Sequence, residues 1–96
     1  MQRVFAVRDV KADAFETLIV LPTRGLALRG FVNAAAQPDS PLNKYPADFM
    51  LYELGEYDPN TGSINGHSTP IFISSATEAL ASAQRESQPV PQEATK

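Results

Sequence analysis

Residues 49–64 read FMLYELGEYDPNTGSI, and this stretch decides the fold. Its first eight residues have the apolar and aromatic character of a β-strand. Pro59 presets φ at the first position of a turn, Asp58 can accept hydrogen bonds from the N–H groups of that turn, and Gly62 accepts the left-handed conformation that returns the chain. Residues 59–62 therefore predict a hairpin loop built around a type I turn. The loop sets the register, which places three pairs of residues opposite each other: Asp58 and Ser63, Tyr57 and Ile64, and Gly55 and Gly66.

The segments before the hairpin predict a strand and a helix. Residues 3–10, RVFAVRDV, carry apolar side chains on both faces, which is typical of a central strand. The connection over residues 11–22 contains an apolar run, residues 18–21, that fits either a short strand or a buried loop. Thr23 is the predicted N-cap of the clearest helix, which ends near Gln37. Its buried stripe is predicted to consist of four residues at helical spacing: Leu28, Phe31, Val32 and Ala35.

Shorter elements are predicted around the hairpin. One helical turn at residues 46–48 leads into it, and the return strand is short because residues 65–68 are poor strand formers. Pro70 then introduces an edge strand at residues 71–74, and a brief helix follows. The order strand–helix–strand–strand predicts an α+β fold, with a small, mostly antiparallel sheet of three to four strands and one main helix packed on one face.

Length and composition predict a single small domain over residues 1–82 and a polar, proline-containing, disordered tail over residues 83–96. The chain has no cysteine, which excludes disulfides and thiolate metal sites. No apolar run approaches the roughly 20 residues of a transmembrane helix. Near the N-terminus, charged residues interrupt the continuous apolar run that a signal peptide would need. We therefore expect a soluble, intracellular protein that does not bind membranes.

The residue types that carry catalysis or bind metals form no recognisable motif. His67, the single histidine, is interpreted as a solvated loop residue. Glu53 and Glu56 are three apart on a strand and are expected to point to opposite faces. Asp9 and Asp13 flank a bend, where they would form either a shallow cation site or, more commonly, two solvated acids. We expect no enzyme activity, no catalytic residue, no metal site and no cofactor.

The net charge of −3 conceals an asymmetry along the chain. Residues 1–30 contain five basic and three acidic residues, a balance of +2, whereas residues 45–82 contain five acidic and no basic residues, a balance of −5. Because non-specific affinity for nucleic acid scales with the phosphates neutralised, any nucleic-acid surface of this chain must be local. The candidate nucleic-acid-binding residues are the five basic residues of the first segment: Arg3, Arg8, Lys11, Arg24 and Arg29.

Single-stranded DNA is the ligand that suits such a surface, because bases stack on aromatic rings while cations follow the backbone. Phe15, Tyr52 or Tyr57 would supply the ring beside the basic residues. The alternative is that the five basic residues share no role and that the aromatic side chains serve packing. Four phenylalanines are expected to lie in the core: Phe5, Phe31, Phe49 and Phe72.

Three segments together resemble a known family. They are AVRDVKADAF at residues 6–15, PTRGLALRGF at residues 22–31 and YPADFMLYELGEYDPNTGSI at residues 45–64. In order and spacing they are similar to the small non-structural protein of gokushovirus-type Microviridae phages, over about residues 3–75. The resemblance implies a product that is made in the infected bacterium, is absent from the virion and acts in making or channelling the single-stranded genome. It assigns no catalytic residue.

Two hypotheses follow. The first is a non-enzymatic accessory factor in viral single-stranded DNA synthesis, located in the host bacterial cytoplasm, which binds single-stranded DNA weakly through the basic strand–helix surface. The alternative is a protein–protein interaction module that recruits or regulates the phage replication initiator, the procapsid or a host factor without direct DNA binding. In both cases the exposed face or edge of the sheet allows a homodimer.

Overall fold

The computed structural model describes residues 1–87. Within these residues, five strands and three helices follow one another, and a 3-10 turn at Pro46–Asp48 precedes the fourth strand. In chain order they are β1 (Gln2–Asp9), β2 (Ala14–Phe15), β3 (Ile19–Leu21), α1 (Arg24–Ala36), α2 (Pro41–Lys44), β4 (Phe49–Asp58), β5 (Ser63–Ser75) and α3 (Ala76–Ser87). The α+β class is as predicted.

β1 is the central strand of a mostly antiparallel sheet, as its apolar residues on both faces predicted. One of its edges pairs with β4 over its whole length, and β5 pairs with the far side of β4. The other edge of β1 is shared by two short strands, since β3 pairs with Arg3–Phe5 and β2 pairs with Arg8 and Asp9. The apolar run whose structure the sequence left open is therefore strand β3.

The β4–β5 hairpin has the predicted register. Asp58 pairs with Ser63, Tyr57 with Ile64 and Gly55 with Gly66. Gly62 has a φ of +78°, and its N–H donates to the Asp58 carbonyl over 2.7 Å. The side-chain carboxylate of Asp58 also accepts a hydrogen bond, from the N–H of Asn60 over 2.9 Å. The turn chemistry of residues 58–62 thus sets how β4 and β5 pair from the turn as far as Gly55 and Gly66.

The return strand is longer than the sequence predicted. β5 continues for 13 residues and includes both the predicted short strand and the predicted edge strand. The continuity depends on bulges: residues 67–70 lie opposite the single residue Leu54, and Ile73 is an extra residue farther along. A bulge tolerates Pro70, which has no N–H for the ladder, and so the poor strand formers do not end the strand.

Helix α1 begins and ends where predicted, but its buried face is rotated. The Thr23 hydroxyl accepts a hydrogen bond from the N–H of Leu26 over 3.1 Å, and Gln37 is the C-cap. The buried residues are Ala27, Phe31 and Ala35, with Val32 only partly buried. The prediction that Leu28 is buried is wrong, since it is 36% exposed. The small residues at the two ends of this stripe let α1 pack closely around Phe31, and apolar periodicity alone did not distinguish this face from one that includes Leu28.

A second helix completes the core on the same face of the sheet. Ala76 and Ala79 of α3 are buried in one cluster with residues of α1 and the sheet, Phe5 and Leu51 among them. The prediction of one main helix is therefore incomplete. α3 also extends to Ser87, so residues 83–87, the start of the predicted tail, are helical. Residues 88–96 of that tail lie outside the described residues.

Phe31→Ala tests the rotated face of α1. Phe31 is 4% exposed at the centre of the core, so we expect the variant to lose about 3–5 kcal/mol of unfolding free energy. Leu28→Ala is the matched control and should lose clearly less, because about a third of Leu28 is already in water and it lies outside the buried stripe. Urea unfolding followed by circular dichroism measures both. Equal losses in the two variants would contradict the observed face.

Gly55→Ala tests the closest approach in the hairpin. A Cβ at position 55 would collide with the carbonyl oxygen of Asn65 and lie 2.9 Å from the Cα of Gly66. We expect a loss of about 1–3 kcal/mol, since backbone on the partner strand has to move. Gly30→Ala is the control: nothing lies within 4 Å of a Cβ there, so the change should stabilise α1 by about 0.5–1 kcal/mol. A neutral Gly55→Ala would refute this packing.

Candidate functional site

Three aromatic rings form a continuous row across the sheet. Phe15 of β2 meets Tyr52 of β4 at a ring-centroid distance of 5.5 Å, and Tyr52 meets Phe72 of β5 at 5.7 Å, both edge to face. Ala6, the β1 partner of Tyr52, is fully buried, and its small side chain leaves room for the rings to meet across β1. We call Phe15, Tyr52 and Phe72 the aromatic row.

The aromatic row lies on the face of the sheet opposite the helices. Leu51 and Glu53, the neighbours of Tyr52 in β4, are buried on the helix side, and side chains alternate along a strand. We call the other side the open face. Phe15 is 38% and Phe72 is 55% exposed there. The expectation that Phe72 lies in the core is therefore wrong, because position 72 faces away from the helices.

A cation lies directly beside the row. Arg8 pairs with Phe15 across β1 and β2, and its guanidinium carbon is 5.4 Å from the centroid of the Phe15 ring. One of its terminal nitrogens also forms an ion pair with Asp13 at 2.5 Å. Lys11 is exposed in the turn between β1 and β2. The open face thus combines exposed rings with a positive charge.

The turn after β1 uses both of the aspartates that sequence analysis considered for a cation site. The Asp9 carboxylate accepts hydrogen bonds from the N–H groups of Lys11 and Ala12, at 3.0 and 3.3 Å, and Asp13 pairs with Arg8. Within residues 1–87 there is no group of three or more histidine, cysteine or acidic residues that could hold a metal ion. These two carboxylates therefore shape the turn.

A second charged group lies on the helix side of the sheet. The side chain of Glu53 is fully buried and accepts from Arg24 Nε at 2.6 Å, from His67 Nε2 at 2.7 Å and from Arg3 Nη1 at 3.2 Å. We call these four residues the Glu53 cluster. Its members come from β4, α1, β5 and β1, so one carboxylate connects four elements of the fold.

The environment of Glu53 keeps it ionised. Burial by itself raises the pKa of this carboxyl, but hydrogen bonds from Arg24 and His67 and the positive charges of Arg24 and Arg3 outweigh it and lower the pKa to about 2. The hydrogen bond between Arg24 and Glu53, together with the Glu53 charge, raises the pKa of Arg24. An ionised carboxylate only accepts hydrogen bonds, so the Nε2 atom of His67 carries the proton that the two groups share.

Sequence analysis missed this cluster and placed His67 in solvent. The side chain of His67 is 26% exposed and reaches Glu53 because the bulge of β5 begins at that residue. The detectable signal was the position of Glu53 in an alternating stripe with Phe49 and Leu51, whose side chains are buried. A carboxylate in such a stripe requires cations nearby, because burying an unpaired charge is very costly.

The five candidate basic residues do not converge on one surface. Arg3 and Arg24 meet at Glu53 on the helix side, whereas Arg8 lies on the open face. Lys11 extends the open-face side at the β1–β2 turn. Arg29 is exposed on α1 and borders a shallow groove between α1 and α3.

An apolar groove also opens between β3 and α1. It has a volume of about 360 Å³, and Ile19, Leu21, Phe31 and Ala34 contribute to its lining. Leu18, Ile19 and Val20 beside it are 55%, 40% and 46% exposed. This edge of the sheet therefore exposes apolar side chains beside α1.

The chain matches the family described as Phage ORF5 protein over residues 2–79. It belongs to the Phage ORF5 protein family. The matched region runs from β1 into α3, and so includes the aromatic row and the Glu53 cluster of this phage protein. No curated protein and no solved structure matches the chain. None of the helices within residues 1–87 of this phage protein is long and apolar enough to span a membrane.

The pKa of Glu53 predicts an acid-sensitive stability. Because the folded pKa, about 2, lies below the ordinary value of 4.5, the ionised carboxylate stabilises the fold fully above pH 4.5, and this contribution is lost as the pH falls towards 2. Glu53→Gln should remove this part of the acid sensitivity. It should also cost about 1–3 kcal/mol at neutral pH, less than for a fully buried pair because Arg3 and Arg24 are partly in water.

Urea unfolding at a series of pH values measures both effects. Glu56→Gln on the same strand is the control, since it removes a carboxylate that takes part in no ion pair within residues 1–87. A Glu53→Gln variant with the parent's acid sensitivity would contradict the role given to this carboxylate.

Proposed function

We propose that this phage protein is a non-enzymatic accessory factor in viral single-stranded DNA synthesis, which binds single-stranded DNA on its open face in the cytoplasm of the host bacterium. Membership of the Phage ORF5 protein family supports a phage role. The resemblance to the non-structural protein of gokushovirus-type Microviridae supports a role with the single-stranded genome. The aromatic row with Arg8 beside it is the observation that carries the proposal.

The aromatic row is suited to unpaired bases. Each base stacked on an aromatic side chain contributes about 1–3 kcal/mol, with little dependence on base identity. Phe15 and Phe72 are exposed, and the half-buried Tyr52 connects them at centroid distances below 6 Å. A single strand that crosses the sheet from β2 to β5 can therefore stack more than one base on neighbouring rings.

Charge favours a single strand over a duplex. A duplex presents only its phosphates and base edges, and a protein with a net charge of −3 gains little from phosphates alone. A single strand adds stacking to the few phosphate contacts that Arg8 and Lys11 offer. Affinity should accordingly be modest and should weaken as salt rises.

The proposal assigns different roles to the five basic residues. Arg8 and Lys11 contact the backbone of the DNA. Arg3 and Arg24 are engaged by Glu53 and stabilise the fold. Arg29 lies on the helix side, away from the aromatic row, and its substitution serves as a charge control.

The apolar groove beside β3 favours a second candidate function. Exposed Leu18, Ile19 and Val20 next to a groove of about 360 Å³ are suited to an apolar segment of a protein partner. In this alternative the protein recruits or regulates the phage replication initiator, the procapsid or a host factor and does not bind DNA. A homodimer would use the same edge.

Phe72→Ala tests DNA binding on the open face. Loss of one stacked base should weaken the binding of a fluorescently labelled oligothymidine by roughly 5- to 150-fold, the equivalent of 1–3 kcal/mol. Ile64→Ala is the matched control, because Ile64 is a similarly exposed apolar residue of β5 outside the aromatic row. Fluorescence anisotropy at low and near-physiological salt measures affinity. Arg8→Ala should also weaken binding and reduce its salt dependence by about one phosphate contact, whereas Arg29→Ala should do neither.

Three results would count against this function. They are equal binding by Phe72→Ala and Ile64→Ala, binding that does not respond to salt, and equal affinity for a duplex of the same length. If no oligonucleotide binds at low salt, and a phage or host protein binds in a way that Val20→Asp abolishes, the interaction module is the correct function.

A further inference from the structure

The turn between β1 and β2 directs a carboxylate at Arg8, the arginine beside the aromatic row. Asp13 forms its ion pair with Arg8 although its side chain is 86% exposed, so burial does not force the contact. The backbone of the turn brings the two side chains together instead. The Asp13 N–H donates to the Val10 carbonyl over 3.1 Å, and the Asp9 carboxylate holds the two intervening N–H groups. The carboxylate of Asp13 is thereby placed on Arg8 by local backbone geometry.

Asp13 occupies this position at some conformational cost. Its φ is +57°, and it is the only residue other than glycine with a positive φ within residues 1–87. Glycine is the usual residue for that conformation, and asparagine and aspartate tolerate it best among the others. A glycine or asparagine would therefore satisfy the turn equally well. Compared with glycine or asparagine, aspartate adds a negative charge at this position, and its carboxylate contacts Arg8.

Carboxylate and phosphate oxygens accept the same charge-assisted hydrogen bonds from a guanidinium group. From these contacts we propose that Arg8 is a phosphate subsite of the open face, and that the Asp13 carboxylate occupies the position of the phosphate in the free protein. A backbone phosphate of single-stranded DNA displaces Asp13 from Arg8 as the adjacent base stacks on the aromatic row. This inference rests on the proposed function.

The geometry permits the exchange. The guanidinium of Arg8 lies 5.4 Å from the centre of the Phe15 ring, so a phosphate on Arg8 has its base within reach of the row. The side chain of Arg8 is 29% exposed, and an ion pair at the surface contributes little stability, so a ligand can replace it. A phosphate without an attached base must displace Asp13 with no gain from stacking, so Asp13 disfavours its binding. The subsite selects nucleotides over free inorganic phosphate.

Asp13→Asn tests the inference, because asparagine keeps the left-handed turn and removes the charge. We expect the variant to bind the labelled oligothymidine roughly two- to fivefold more tightly than the parent, which is the range for a surface ion pair. Asp39→Asn is the control: it makes the same change in net charge at an exposed loop position after α1. It should alter affinity by less. Inorganic phosphate should displace the oligonucleotide from Asp13→Asn at lower concentrations than from the parent or from Asp39→Asn.

A double-mutant cycle shows whether Asp13 acts through Arg8. In an Arg8→Ala background, Asp13→Asn should improve binding no more than Asp39→Asn does. If Asp13→Asn and Asp39→Asn behave alike in the parent background, the subsite is refuted while single-stranded DNA binding stands. The same holds if the gain of Asp13→Asn persists without Arg8. If no protein of the set binds oligothymidine at low salt, the proposed function is refuted and the subsite with it.

Discussion

The buried carboxylate of Glu53 is the interaction on which the rest of the structure depends. It lies at the point where β1, β4, β5 and α1 meet, and it accepts hydrogen bonds from Arg3 of β1, Arg24 of α1 and His67 of β5. Either arginine alone would leave the buried charge only partly compensated, and the carboxylate without these partners would be very costly to bury. The three contacts together hold the start of α1 and the bulge of β5 in fixed positions against β4. A small domain without cysteine thus gains a polar connection across its core.

Two consecutive residues of β4, Tyr52 and Glu53, point to opposite faces of the sheet and take part in different interactions. Glu53 connects the helix side, and Tyr52 is the centre of the aromatic row on the open face. Since α1, α2 and α3 all contribute buried side chains on the helix side, the open face is left with exposed aromatic rings and with Arg8 beside them. This division also explains why the basic residues of the first thirty positions serve different ends: those that meet Glu53 stabilise the fold, and those near β2 remain at the surface.

The elements that the sequence predicted well are those with local causes. The Pro59–Gly62 turn, the Thr23 cap and the 3-10 turn before β4 depend on residues within four positions of each other. Where the cause was not local, the expectations were wrong or incomplete. Leu28 is exposed because packing against α3 and the sheet favours the stripe of Ala27, Phe31 and Ala35. β5 passes through Pro70 because it bulges there opposite Leu54 of β4, which residues 65–70 alone do not indicate.

The sequence by itself determined the α+β class, the register of the hairpin, the limits of α1 and the segment that contains the basic residues. The tertiary structure decided which of those residues act together. The partners of Glu53 are 14, 29 and 50 positions away, and the rings of the aromatic row come from three strands. Periodicity shows that residues 49, 51 and 53 share a face, but not which distant side chains that face meets. Turn and cap chemistry act within a few bonds, whereas charge pairing and ring packing depend on how the strands are ordered in the sheet.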